Sequence, residues 1–227
     1  MEEVVTDYFA KMFQALVIYY GAVNATLEAI EPCVTQAMNE QLCRSYSGEE
    51  IKDALFQMCH TKPLIPDGMP PLFFPTLLGG NWSGCDCCCK TFFETRKILK
   101  QINYTHVYLI PKVDNPEQMS DLRPIALCNV IYKICAKVIV NRLKVILHLI
   151  ISPFQSAFVP GRLSQITNEI AHDGKVGYMA LKLDLSKAYN RMKWDFLKRV
   201  MCRFWFSSQL DSACYVVCYR CQILISG

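Results

Sequence analysis

The stretch Met179-Ala-Leu-Lys-Leu-Asp-Leu-Ser-Lys-Ala-Tyr-Asn-Arg-Met-Lys-Trp194 decides how this chain is read. Met179, Leu181, Leu183 and Leu185 alternate with Ala180, Lys182, Asp184 and Ser186, the two-residue period of a strand that buries one apolar face. Asp184 therefore stands at a strand end. A rigid strand holding a carboxylate, with a tight turn lifting Tyr189 beside it, suits the binding of a divalent cation next to a substrate. The same spacing equally suits an Asp that caps the following helix, and periodicity leaves both readings open.

The residue types go further than the spacing. Leu-Lys-Leu-Asp-Leu-Ser-Lys-Ala-Tyr, followed by Arg191 and Trp194-Asp-Phe-Leu197, closely resembles the first palm motif of reverse transcriptases from plant LINE-type (non-LTR) retrotransposons. The resemblance implies that Asp184 binds catalytic Mg²⁺, with the carbonyl of Leu185 as a further ligand. It implies that Tyr189 lies under the sugar of the incoming nucleotide. RNA template, DNA primer and dNTP are the partners it implies. The family usually reads Ala-Tyr-Asp-Arg where this chain has Ala-Tyr-Asn190-Arg.

Outward from this motif, composition sets the class. The chain has 227 residues, 52% apolar and 19% charged, a globular composition that is long enough for one sizeable core or two small ones. A net charge of +4 permits nucleic-acid binding without requiring it, so the placement of Lys and Arg matters more than their number. Thirteen cysteines occur with acids, not a basic region, behind Met1, which points to an intracellular, reducing compartment, nucleus or cytoplasm left open. The most apolar early run, 12–30, is interrupted by Gln14, Gly21, Asn24 and Glu28, and no membrane span is expected.

Upstream, Val5, Phe9, Met12, Phe13, Leu16 and Val17 recur at helical steps over 2–20, and a second short helical pattern covers 34–43, ended by Ser45-Tyr46. Ser47-Gly-Glu-Glu50 reads as a capping box, and Ile51, Ala54, Leu55 and Met58 follow on one helical face. Lys62-Pro63 and Pro66-Asp67-Gly68 then impose extended and turn geometry. The segment 49–69 resembles the entry to the fingers in the same family. Residues 77–100 read as a divergent loop: Gly79-Gly80-Asn81-Trp82-Ser83-Gly84 is loop-like, and Cys85-Asp-Cys-Cys-Cys89 follows. Cys85 and Cys88 have a zinc-ligand spacing, but a second pair is lacking and only Cys59, His60 and His106 stand as recruits.

A strand over 104–110 is closed by Pro111, and a turn at Asp114-Asn-Pro116 follows. Ile131, Ile134, Cys135, Val138, Ile139 and Leu143 then line one face of a helix, with Lys133, Lys137, Asn141 and Lys144 on another. A basic stripe opposite an apolar one is either a solvated face or, on a polymerase finger, a phosphate-tracking surface. Leu109-Ile-Pro-Lys112, Arg123-Pro-Ile125, Asn141-Arg-Leu-Lys144 and the run 151–162 resemble the family's fingers. That resemblance makes Lys112, Arg123 and Arg162 candidates to face template or nucleotide phosphates, where guanidinium forks are well suited. The alternative for each is a salt bridge that fixes a loop. Between Arg162 and Gly177 the chain is shorter than the family pattern. After the motif, Trp194, Leu197, Val200, Met201 and Phe204 form a helical stripe, while Tyr215-Val-Val and Ile223-Leu-Ile are strand-like.

The expected fold is an α-rich α+β partial right-hand polymerase: a helical lead-in over 1–46, a fingers-like region over 47–176 and an incomplete palm over 177–227. The strands at 107–110 and 179–184 are expected in separate subdomains. Two-metal phosphoryl transfer needs more carboxylates than Asp184. The Tyr-x-Asp-Asp segment that supplies them in the family does not occur in these residues; Asp195 falls on the next helix and Asp211 in a loop. The expected function is a truncated RNA-directed DNA polymerase, inactive alone. The alternatives are a non-catalytic fragment with a basic nucleic-acid- or partner-binding surface, and a relic without selected function.

Overall fold

Local signals place the helices. The computed structural model describes residues 7–8, 19–58, 82–99, 102–153, 155, 159, 192–219 and 222–225. Asp7 and Tyr8 are helical; the rest of the first expected helix up to 18, and the strand at 179–184, lie outside the described residues. Helix α1 runs Tyr20–Glu28 and α2 Gln36–Cys43, where the Thr35 hydroxyl accepts from the amide of Met38. Helix α3, Gly48–Phe56, begins at the expected capping box: the Glu50 amide donates to Ser47 Oγ, and the Ser47 amide donates to the Glu50 carboxylate, both at 3.1 Å. Its Ile51, Ala54 and Leu55 are fully buried.

The expected loop over 77–100 is corrected by helix α4, Trp82–Thr95. Cys85, Cys89, Phe92 and Phe93 fall at three- and four-residue steps, and all four are buried. Cysteine behaves here as a small apolar side chain, so the stripe is complete only when the thiols are counted with the phenylalanines. Gly48 lets α4 approach α3: a Cβ at that position would meet Asp86 Oδ1 at 3.3 Å. The Asp86 carboxylate thus lies against the first turn of α3, where the helix dipole favours negative charge.

Strand β1, Tyr104–Pro111, pairs antiparallel with β2, Leu122–Cys128, in a register that sets Val107 opposite Ala126 and Ile110 opposite Arg123. The third strand, β3, Gln222–Ile225, runs parallel to β1 on its other side, giving the order β2-β1-β3. Pro124 cannot donate to a ladder, and it sits where that matters least, on an edge strand. Helix α5, Val130–Lys144, is capped by Asn129, whose Oδ1 accepts from the Ile131 amide at 2.9 Å. A short α6, Leu147–Ile150, follows. Helices α7, Trp194–Arg203, and α8, Ser208–Tyr219, complete the described elements. The strand-like run at Tyr215-Val-Val lies inside α8, because Leu210, Ala213, Val216 and Val217 are buried together at helical spacing. Burial against a neighbour overrides the β-preference of two valines. Asp211, expected in a loop, is in the first turn of α8 and is buried.

Helix α5 is central, packing on α3, α4 and α8. One core joins Leu42, Ile51 and Leu55 to Cys89, Phe93, Ile134, Val138, Leu210 and Val217, so it draws on all three of the segments expected from sequence. Each fully buried Leu or Ile contributes roughly 1.5–3 kcal/mol. The result is helix-rich α+β, as expected from the sequence.

Candidate nucleic-acid interface

Helix α5 carries the basic stripe and fixes its position. Ile134, Cys135, Val138 and Ile139 face the core, which leaves Lys144 exposed and Lys133 and Lys137 partly so. The helix is held along its last turns by Arg142, which is only 7% exposed. Its Nε and Nη2 donate to the two carboxylate oxygens of Glu50 at 2.9 and 2.8 Å. Nη1 donates to the carbonyls of Leu42 and Arg44 at 2.8 and 2.6 Å, and Nη2 to that of Ser45 at 3.0 Å. A guanidinium has five N–H groups, and here each has an acceptor. The planar cation also covers the Tyr46 ring at 3.6 Å, and Tyr46 stacks on Phe93 of α4 with centroids 3.7 Å apart.

The electrostatic consequences follow from this geometry. Hydrogen bonds from Arg142 are the chief cause that lowers Glu50 to about 2, with the Ser47 amide adding to it. Burial is the main reason the Tyr46 hydroxyl titrates above its usual range. Beside this cluster lies a groove of about 460 Å³ whose walls include Arg44, Asp53, Asn141 and Lys144. Its charges are of both signs, so it forms no phosphate cradle; the cationic surface is the outer side of α5.

The β1–β2 connection places two more expected residues. Lys112 follows β1; its Nζ donates to the Ser120 carbonyl at 2.6 Å and its amide to the Asp121 carbonyl at 2.7 Å. Lys112 therefore ties the loop, close to the fixing role that was its alternative, though through carbonyls and not a salt bridge. Arg123 is exposed on the edge strand β2, across from Ile110. Lys112 and Arg123 share the same end of the hairpin. Arg162, Asp184, Leu185 and Tyr189 lie outside the described residues.

Among the described residues the thiols build no zinc site; Cys59 and His60, two of the recruits named from sequence, lie outside them. Cys85 and Cys89 point inward one helical turn apart, whereas Cys87 is exposed. The hydrogen bond with Cys89 pushes the Cys85 thiol up and the one with Cys135 pushes Cys89 up, with burial adding to both, so these thiols rest protonated in the core. Among the described residues no group of three or more His, Cys, Asp or Glu side chains is placed to hold a metal ion.

Arg142 is the residue that sequence reading passed over. Its signal was present: it continues the buried face of α5, three residues after Ile139 and four after Val138. A charge at such a position needs a partner, and Glu50, whose carboxylate also closes the cap of α3, is that partner.

Known proteins share this sequence at two levels. The family described as "Reverse transcriptase (RNA-dependent DNA polymerase)" matches residues 110–224, just over half of the chain. The chain is also 26% identical over 185 residues to the "Transposon TX1 uncharacterized 149 kDa protein" of Xenopus laevis, an alignment covering 78% of this chain. It spans 14% of the length of that relative.

Proposed function

Because the chain belongs to the reverse transcriptase (RNA-dependent DNA polymerase) family, we propose that it forms the fingers and the first palm strand and helix of a LINE-type retrotransposon enzyme. The observation that carries this reading is that the family match runs through the Asp184 motif and ends within β3, on the sheet that β1 begins. In this reading Asp184, with the Leu185 carbonyl, is a ligand of catalytic Mg²⁺ and Tyr189 supports the nucleotide sugar. The outer face of α5, with Lys133, Lys137 and Lys144, tracks phosphates of template or primer together with Arg123 and Arg162. Arg142 positions that face by locking α5 to α3. Lys112 acts through the loop it ties. The region 47–176 serves as fingers and 177–227 as the start of the palm.

One aspartate cannot hold the two ions of phosphoryl transfer, since Mg²⁺ keeps most of its water unless several carboxylates or phosphates replace it. These residues alone are therefore expected to show no primer extension on an RNA template. A chimera adding a palm hairpin with Tyr-x-Asp-Asp and a thumb tests the assignment. Asp184→Ala in that chimera should abolish extension while leaving template binding intact. Extension by the unmodified chain, or a chimera indifferent to Asp184→Ala, would sink the reading.

A further inference from the structure

Helix α7 ends with Trp205 in a conformation that an indole rarely takes. The Trp205 amide donates to the Cys202 carbonyl and the Phe206 amide to the Met201 carbonyl, both at 3.1 Å, the paired bonds of a Schellman ending. The residue at its corner adopts the left-handed region, and Trp205 has φ of 72° where glycine is usual. Asn39 of α2 holds the turn from outside: its Nδ2 donates to the Trp205 carbonyl at 2.7 Å, and its Oδ1 accepts from the Ser207 amide at 2.8 Å. Phe204 and Phe206 on either side turn to the core, and the indole between them is left 66% exposed.

The surroundings of that indole are cationic. Lys198 and Arg203 of α7 are exposed and share with Trp205 an open groove of about 420 Å³. Arg203 Nε donates to the Leu27 carbonyl at the end of α1, a bond that does not occupy the two terminal nitrogens. Arg199 pairs with Asp195 at 2.9 Å and lies 5.7 Å from the ring of Tyr20, itself 56% exposed. Counting Asp195, the face still carries net positive charge.

We propose that this face of α1 and α7 binds single-stranded nucleic acid, with a base stacked on the Trp205 indole and the adjoining phosphates neutralised by Lys198, Arg199 and Arg203. Aromatic platforms set in a cationic groove take bases whose π-faces are free, which a duplex withholds. A lipid surface suits the face less well, because insertion needs apolar side chains around the indole and its neighbours point inward. None of these residues belongs to the phosphate-tracking surface assigned to α5 and β2, so either surface can fail without the other.

The test is fluorescence anisotropy of the full chain with a labelled oligouridylate of about fifteen nucleotides, a length spanning several stacking sites. A duplex of equal length and vesicles of phosphatidylcholine with phosphatidylserine are run beside it. Trp205→Gly is the informative variant, since glycine suits the turn and the fold is kept or strengthened. It should weaken oligouridylate binding about tenfold, the loss of one stacked base. Lys198→Ala, at an exposed position, should lower the salt slope by about one. Unchanged oligouridylate affinity in Trp205→Gly, a loss in Trp205→Gly as large for the duplex as for oligouridylate, or binding to anionic vesicles without binding to oligouridylate would each overturn the proposal.

Discussion

The guanidinium of Arg142 grips both carboxylate oxygens of Glu50, 92 residues earlier in the chain, at 2.9 and 2.8 Å. Glu50 is at the same moment the third residue of α3 and accepts from the Ser47 amide. One carboxylate thus closes a local cap and a tertiary lock. Through it the basic helix α5 is registered against α3 and against the end of α2 with the segment 44–46 that follows it.

Removing the arginine should be severe. Arg142→Met leaves Glu50 and the carbonyls of Leu42, Arg44 and Ser45 without their buried donor, and breaking one side of a buried pair costs about 3–5 kcal/mol. Arg142→Lys should recover little, because an ammonium has three donors and no planar fork. Urea unfolding measures both. The double variant with Glu50→Gln should lose less than the sum of the single losses, as expected of residues in contact.

The pH dependence has a definite sign. Glu50 titrates at about 2 in the folded chain against an ordinary value of 4.5. A lowered folded value means the stabilisation is complete above pH 4.5 and is lost as pH falls from there toward 2. Thermal unfolding of the chain and of Glu50→Gln should therefore differ by a constant amount above about pH 5 and converge below it. A difference that grows on raising the pH through neutrality would contradict the assignment.

Trp205→Gly should raise stability by about 1 kcal/mol, since a non-glycine residue in the left-handed region carries about that penalty. Asn39→Ala should do the opposite, removing the two hydrogen bonds that hold the turn. The two changes are readily compared by thermal denaturation at neutral pH.

Cys89→Ser should destabilise by about 1–3 kcal/mol, because a hydroxyl is placed in a fully buried row of thiols. Added zinc should leave the melting temperature of the unmodified chain where it was. A zinc-dependent rise would restore the metal reading of the cysteine cluster.

Local bonds made much of this legible before any tertiary contact was known. The capping box at Ser47 and Glu50, the strand closed by Pro111 and the apolar face of α5 each involve residues within a turn or two of each other. Their geometry follows from spacing alone. The family, too, was carried by contiguous motifs. From sequence Tyr215-Val-Val reads as strand-like and 77–100 as a loop, yet 215–217 and Trp82–Thr95 are helical. Those choices turn on what lies opposite: α5 packs against both segments and shares one buried core with them. Nor could the sequence tell that β3 returns to lie parallel beside β1, or that Arg142 turns inward. Burial of a charge depends on acceptors assembled from distant positions, here Glu50 and three carbonyls, and that assembly exists only once the helices have packed.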